Sequence, residues 1–138
     1  MIATSIMSLS LEPLSLIVCV NRTSRSGAAF LASDVFSANA LRLEQIDVAR
    51  SFGPDIEREG RFKTGRWRTS RGAPVLRGAQ ANFVCRRTQS IAYGTHDILV
   101  GDLLSAHANA AARPLVYLDG IYTACGPPPP AACAWPSH

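Results

Sequence analysis

Two long β-prone runs, Ala79–Tyr93 and Thr95–Ala106, meet across Gly94, and this hairpin constrains the fold more than any other feature of the chain. The segments around it are shorter and of the same kind. Ile2–Leu11 mixes apolar residues with Ser and Thr, so neither side of that strand is cleanly apolar. Glu12-Pro13 then turns the chain into Leu14–Val20, a continuous apolar run of the sort found in buried central strands. Val35–Leu41 reads as a further strand, and Leu115–Leu118 with Ile121–Thr123 as a last pair around Asp119-Gly120. Helical signals are confined to two places. One is a short helix opening after Thr23, Ser24 or Ser26 and running to about Ser33. The other is Leu43–Phe52, where Leu43, Ile46, Ala49 and Phe52 recur every third residue before Gly53-Pro54. Gly60–Gly78, rich in Arg and Gly, reads as loop with one short strand at Trp67. Many short strands and two helical inserts predict a mainly β fold, a β-barrel and not a parallel α/β sheet.

A chain of 138 residues with 47% hydrophobic and 17% charged content has room for one domain with a real core. That domain spans residues 1–123. Residues 124–138 include four consecutive prolines, which cannot join a ladder, and are expected to be disordered. Cys19 and Cys85 fall in apolar runs and behave as small hydrophobes; no C-x-x-C pair exists, and the histidines are scattered. The pattern excludes a zinc site and suits a reducing cytoplasm. Ile2 to Val20 lacks a basic leader region and is interrupted at Glu12-Pro13, so it is neither a secretory signal nor a membrane span.

The net charge of +4 is carried by arginine, Lys63 being the sole lysine, and Glu59 is the only acid between Arg58 and Arg87. Such a balance fits an anionic nucleotide ligand, nucleic acid or simply a solvated basic surface. Aromatic residues do not interleave with the arginines as a base-stacking platform requires. One segment is more specific. Asn21–Gly27 follows a buried strand, holds two arginines and three hydroxyls, and opens a helix, a combination suited to a phosphate. It is not G-x-G-x-x-G, and Gly60–Gly65 has Arg66-Trp67 where a phosphate-binding loop needs Lys-Ser/Thr. No nucleophile, base and acid can be assigned from spacing.

The chain resembles the flavin reductase-like family, which includes the reductase components of two-component flavin-dependent monooxygenases. The resemblance runs through Met1–Pro13, Val18–Asn21, Phe36–Leu41 with Gln45, Arg61-Phe62 and Trp67. It continues through Gly72–Leu76, Gly78-Ala79, Gly94-Thr95-His96, Pro114–Tyr117 and Tyr122. The fold it implies is the FMN-binding split barrel, usually a homodimer, and the activity is reduction of FMN or FAD by NADH or NADPH. By resemblance, Thr4, Ser5 and Ile6 lie along the flavin ring with Ser8 and Ser10 nearby, and Asn21, Arg22, Ser24 and Ser26 meet its phosphate. Asn39, Ala40, Leu41 and Gln45 border the flavin, Tyr122 sits near the ring edge, and Gly94, Thr95 and His96 lie on the nicotinamide side. Hydride passes directly from nicotinamide C4 to flavin N5, so no catalytic triad is expected.

Members of the family normally carry a helix and a strand before the Met1 motif, and the Pro-rich tail replaces their closing segment. Three readings follow. The chain is an active flavin reductase supplying a monooxygenase; or a non-catalytic, truncated flavin-binding remnant of the same fold; or, in another class, a small basic β-barrel for nucleic acid.

Overall fold

The computed structural model describes residues 1–125 apart from Thr4, Arg25, Pro54, Asp55 and the side chain of Arg58. The expected disordered tail therefore lies, beyond Cys125, outside the described residues. A five-stranded antiparallel sheet forms the body, in the order β1, β2, β7, β6, β3. Its strands are β1 (Ile6–Leu11), β2 (Leu14–Asn21), β3 (Val35–Ala40), β6 (Ala81–Tyr93) and β7 (His96–Ala108). Two separate hairpins, β4 (Trp67–Ser70) with β5 (Ala73–Leu76) and β8 (Leu115–Leu118) with β9 (Ile121–Ala124), pack around it. The sheet is open, with β1 and β3 at its edges. The helical inserts are α1 (Gly27–Leu31) and α2 (Ile46–Ser51), the latter entered through a 3-10 turn at Leu43–Gln45. No helix among the described residues is long and apolar enough to cross a membrane.

The β6–β7 hairpin is the spine. Its centre is dry: Cys85 and Leu99 are fully buried with Val20 beside them on β2. Burial on β2 alternates, Leu16, Val18 and Val20 facing the core while Ser15, Ile17 and Cys19 are half-buried. The continuous apolar run thus serves one deep face and one shallower face. Gly101 makes room for this core, since a Cβ there would lie 2.5 Å from the Phe36 ring and 2.9 Å from Cys85 Cβ. Phe36 in turn packs on Phe30 of α1, which fastens that helix to the sheet. A second cluster, Val48, Leu76 and Ala79, joins α2 to the β4–β5 hairpin, and Phe52, Phe62 and Trp67 close it as an aromatic triangle with centroids 5.1–5.6 Å apart.

Three local expectations change. The first strand begins at Ile6, not Ile2. The helix expected over Leu43–Phe52 starts as a 3-10 turn and becomes α-helical only from Ile46. The segment Gly60–Gly78 holds a complete hairpin and not one short strand. Its turn is Arg71-Gly72, both at positive φ (51° and 86°), the geometry of a two-residue hairpin turn in which the first position is usually Asn, Asp or Gly.

Candidate functional site

β2 runs into the Arg22–Ser26 loop, and β7 leaves the turn at Gly94-Thr95; Asn21 and His96 are direct partners across those strands. Segments 74 residues apart in sequence therefore meet at one end of the sheet. Arg22 joins them. Its backbone N–H donates to the Thr95 carbonyl (3.1 Å), its Nε to Asp97 Oδ2 (2.9 Å) and an Nη to the His96 carbonyl (3.3 Å). The Asp97 side chain is only 10% exposed and that of Arg22 41%, so the carboxylate is shielded while the guanidinium keeps an open side. A charge-assisted bond to a shielded acceptor of this kind stabilises by about 1.5–3 kcal/mol. Thr95 Oγ1 lies 2.9 Å from His96 Nδ1, which fixes the orientation of an otherwise exposed imidazole.

The loop itself is tightly determined. Asn21 Oδ1 accepts from the Thr23 N–H (2.9 Å) and from Thr23 Oγ1 (2.8 Å), an Asx turn. Ser24 Oγ donates to the Asn21 carbonyl (2.8 Å), and the Gly27 N–H donates to the Ser24 carbonyl (2.9 Å). The chain folds back so closely that a Cβ on Gly27 would stand 2.5 Å from the Asn21 oxygen. The expected side-chain cap is not made. Ser26 precedes α1 without capping it, and α1 is a single turn whose dipole adds little. Ser26 Oγ instead accepts from Nη1 of Arg61.

Arg61 has no forecast in the sequence beyond its place in the Arg61-Phe62 motif, because its partner lies 35 positions earlier. It is 7% exposed, its second Nη donates to the Ile56 carbonyl (3.3 Å), and its own carbonyl accepts from Ser51 Oγ (3.2 Å) at the end of α2. Its Nε is buried without a hydrogen-bond partner among the described residues. The Met1 amino group registers this environment: burial first, and the Arg61 charge second, lower its pKa to about 6. A buried cation with an unused donor beside a serine hydroxyl fits the phosphate of a flavin.

The other sequence-predicted residues divide. Ser5 belongs with the loop, its carbonyl accepting from the Cys19 N–H (3.0 Å) two residues before Asn21. Ile6, opposite Val18, continues that strand, whereas Ser8 pairs with Leu16 and Ser10 with Ser15, progressively farther from the loop. Ser10 Oγ is occupied in the turn, bonded to both the carbonyl and the N–H of Glu12 (3.0 Å each). Thr4 lies outside the described residues.

Asn39, Ala40 and Leu41 stand at the opposite end of β6, where Ala40 pairs with Ala81, while Tyr93 at its far end pairs with His96. The Asn39 amide is engaged throughout: Oδ1 accepts from the Leu76 N–H (3.0 Å) and Asn82 Nδ2 (2.8 Å), and Nδ2 donates to Ser37 Oγ (3.3 Å) and the Pro74 carbonyl (3.4 Å). Gln45 accepts from the Arg42 N–H (3.0 Å) and donates to the Arg77 carbonyl (3.2 Å). Tyr122 packs on Tyr117 with centroids 5.0 Å apart, and its hairpin attaches through the Leu115 N–H to the Leu41 carbonyl (2.9 Å). The two groups are linked by α2, which leads from Gln45 to Ser51 and so to Arg61 at the loop.

A cleft of about 260 Å³ lies elsewhere, between Arg68, Arg71, Asn82, Ser105 and His107. None of the predicted residues lines it. It offers exposed arginines and a histidine but no buried, unpaired group.

Comparison with known proteins gives the family. Residues 1–126 match the flavin reductase like domain family. The reductase component of the FADH(2)-dependent resorcinol hydroxylase of a Rhizobium species is 35% identical over 92% of this chain and 72% of its own length. The FMN reductase (NADH) RutF of Variovorax paradoxus is 37% identical over 92% of this chain and 71% of its own. Among solved structures, the NADH:FAD oxidoreductase of Streptomyces globisporus superimposes with a TM-score of 0.83 at 26% identity, over 91% of this chain and 76% of that one. A split-barrel sheet, a hydroxyl- and arginine-bearing loop at its end and this similarity along nearly the whole length lead to one assignment: the chain belongs to the flavin reductase-like domain family.

Proposed function

We propose that this chain is an NAD(P)H:flavin oxidoreductase whose working site is the end of the sheet formed by Ser5, the Asn21–Ser26 loop and the Gly94–His96 turn. The observation that carries this reading is Arg22, one side chain bonded at once to Asp97 and to the His96 carbonyl. It couples the segment suited to the flavin phosphate with the segment suited to nicotinamide. A bound flavin would supply the hydride-accepting N5 and a nicotinamide nucleotide the hydride. The protein's part is to hold two planar groups in register and away from water. Ser24 and Ser26 would hold the ribityl phosphate, the small residues Ala3 and Ser5 just before β1 would let the flavin ring approach the backbone, and His96, oriented by Thr95, would border the nicotinamide.

The FADH(2)-dependent hydroxylase served by the Rhizobium relative supports the same division of labour here, with reduced flavin passed to a separate cytoplasmic monooxygenase. A homodimer completes the site. Its support is the bare β1 edge, where Met7 (62%), Leu9 (52%) and Leu11 (85%) are exposed together with Leu14 at the turn.

The test is NADH or NADPH oxidation by the purified chain with and without added FMN or FAD. Oxidation that requires flavin is the expected result. Flavin binding without turnover would replace this reading with the non-catalytic one.

A further inference from the structure

The β4–β5 hairpin lays one face over the end of the β6–β7 spine that lies away from Gly94. Register fixes which residues meet there. Arg68 stands opposite Val75 and Ser70 opposite Ala73, so these four share a face, and Ala73 and Val75 pack on Val84 of β6. On the spine, Asn82 pairs with His107 and Val84 with Ser105, a second set that shares a face. Between the two sets lies the cleft of about 260 Å³. Its floor is dry: Val75 is 1%, Val84 2% and Asn82 5% exposed, and the Asn82 amide is fastened to Asn39 and to the Leu76 carbonyl. Arg68, Ser70, Arg71, Ser105 and His107 form the rim.

The rim is a set of donors. Two guanidinium forks, two hydroxyls and an imidazole converge on one space, and its lining contains no carboxylate among the described residues. The stretch from Phe52 to Phe62 lies at the open end of the hairpin, where both rings pack on Trp67, whereas Arg71 stands at the turn, the opposite end. A permanent charge beside a dry floor attracts an anion more strongly than the same charge on a fully wet surface.

Arg71 supplies an independent observation. It holds the first position of the turn at φ 51°, where Asn, Asp or Gly fit best and a longer side chain is held at a cost. The turn itself projects into open space, since a Cβ on Gly72 would meet nothing within 4 Å. A residue poorly suited to the turn thus places a guanidinium at the mouth of the cleft.

We propose that this cleft is a second anion site, taking a phosphoryl group through Arg68, Arg71 and His107 with Ser70 and Ser105 as hydroxyl donors. Two forks and three single donors suit a tetrahedral group of several oxygens better than a planar carboxylate with two. The site is separate from the Asn21–Ser26 loop: His96 and His107 stand at opposite ends of β7, roughly 35 Å apart along the strand. It does not depend on the flavin reductase reading. Free phosphate or pyrophosphate carries the required chemistry, and so does a mononucleotide, whose base the apolar floor of Val75 and Val84 would accept.

The experiment is isothermal titration of the full chain with pyrophosphate, inorganic phosphate and AMP at constant ionic strength. It uses wild type, Arg71→Asn, Arg68→Gln, Arg77→Gln and Ser26→Ala, with thermal unfolding of each. Wild type should bind one equivalent of pyrophosphate, and Arg71→Asn and Arg68→Gln should each weaken it roughly tenfold or more, the scale of one charge-assisted fork. Arg77→Gln removes the same charge from the hairpin outside the cleft and should change the affinity less than about twofold, as should Ser26→Ala. Without ligand, Arg71→Asn should melt at the wild-type temperature or above it, because Asn suits the turn. AMP binding more tightly than pyrophosphate would identify a nucleotide as the source of the phosphoryl group; pyrophosphate binding as tightly or more so would identify the free anion. Absence of binding by wild type at millimolar pyrophosphate would overturn the proposal, and so would unchanged binding in Arg71→Asn. An equal loss in Arg77→Gln would show a diffuse positive field, and a loss confined to Ser26→Ala would return the phosphate to the flavin loop; either result also overturns it. Should Arg71→Asn fail to fold, Arg68→Gln carries the same test.

Discussion

The Asn21–Gly27 loop and strand β1 are the two parts of the proposed flavin site, and they are built in opposite ways. In the loop nearly every described polar group is held by a neighbour: Asn21 by Thr23, Ser24 by Asn21, Ser26 by Arg61, Arg22 by Asp97. It is a preformed receptor that a ligand can enter without reordering it. β1 has one partner strand, a register shift between Ser8 and Ser10, and five of its six residues exposed. Its apolar side chains and outer edge are incomplete until something covers them. The proposed function therefore assigns phosphate recognition to a loop complete within one chain and ring binding to a strand that one chain leaves bare.

The contrast can be broken most sharply at Gly27. Gly27→Ala places a Cβ against the Asn21 carbonyl and must push the loop open; FMN affinity should fall roughly a hundredfold, as misplacement of about 1 Å does in preorganised sites, with stability down by about 1–3 kcal/mol. Gly101→Ala is the control. It overpacks the core against Phe36 and should cost a similar about 1–3 kcal/mol in denaturant unfolding, while FMN binding by the folded protein persists. Asp97→Asn comes next. Releasing Arg22 should weaken the link between loop and turn by about 1.5–3 kcal/mol, seen as a rise of roughly ten- to a hundredfold in KM for both flavin and NADH.

On the β1 side, Met7→Ser and Leu11→Ser should change unfolding free energy by no more than about 0.5 kcal/mol per chain but shift the proposed homodimer to monomer in sedimentation velocity. The smallest effect concerns the thiols. Cys125 is exposed and should react quickly with a thiol reagent at neutral pH, and half-buried Cys19 more slowly. Cys85 should stay unmodified, because burial, and second the nearby Asp102 charge, raise its thiol to about 11. The sign is that of an acid whose folded pKa exceeds its unfolded one: protection holds below pH 9 and fades as pH rises toward 11.

Sequence patterning carried most of the sheet because strand periodicity and turn residues are local. Asp119-Gly120 announced its hairpin, with φ of 49° and 82°, since Asp tolerates that geometry and is common in it. Arg71-Gly72 makes a turn of the same class yet gave no signal, arginine being unusual at its first position, and Pro74 in the following strand argued against a ladder. The anion loop was legible for the same local reason, a buried strand followed by hydroxyls and arginines. Arg61 was not, because its meaning depends on Ser26, Ile56 and Ser51 closing around it in three dimensions. Asn39 shows the converse. The resemblance set it beside the flavin, and the structure finds its amide tying Leu76 and Asn82 to β3, a job that only the folded β4–β5 hairpin reveals.

The most direct measurement is a crystal structure of the chain soaked with FMN. The account predicts the phosphate within hydrogen-bond distance of Ser26 Oγ and the Arg61 guanidinium, with the ring extending over Ser5 just before β1. FMN lodged in the cleft of Arg68, Arg71 and His107, with the Asn21–Ser26 loop free of phosphate, would contradict it.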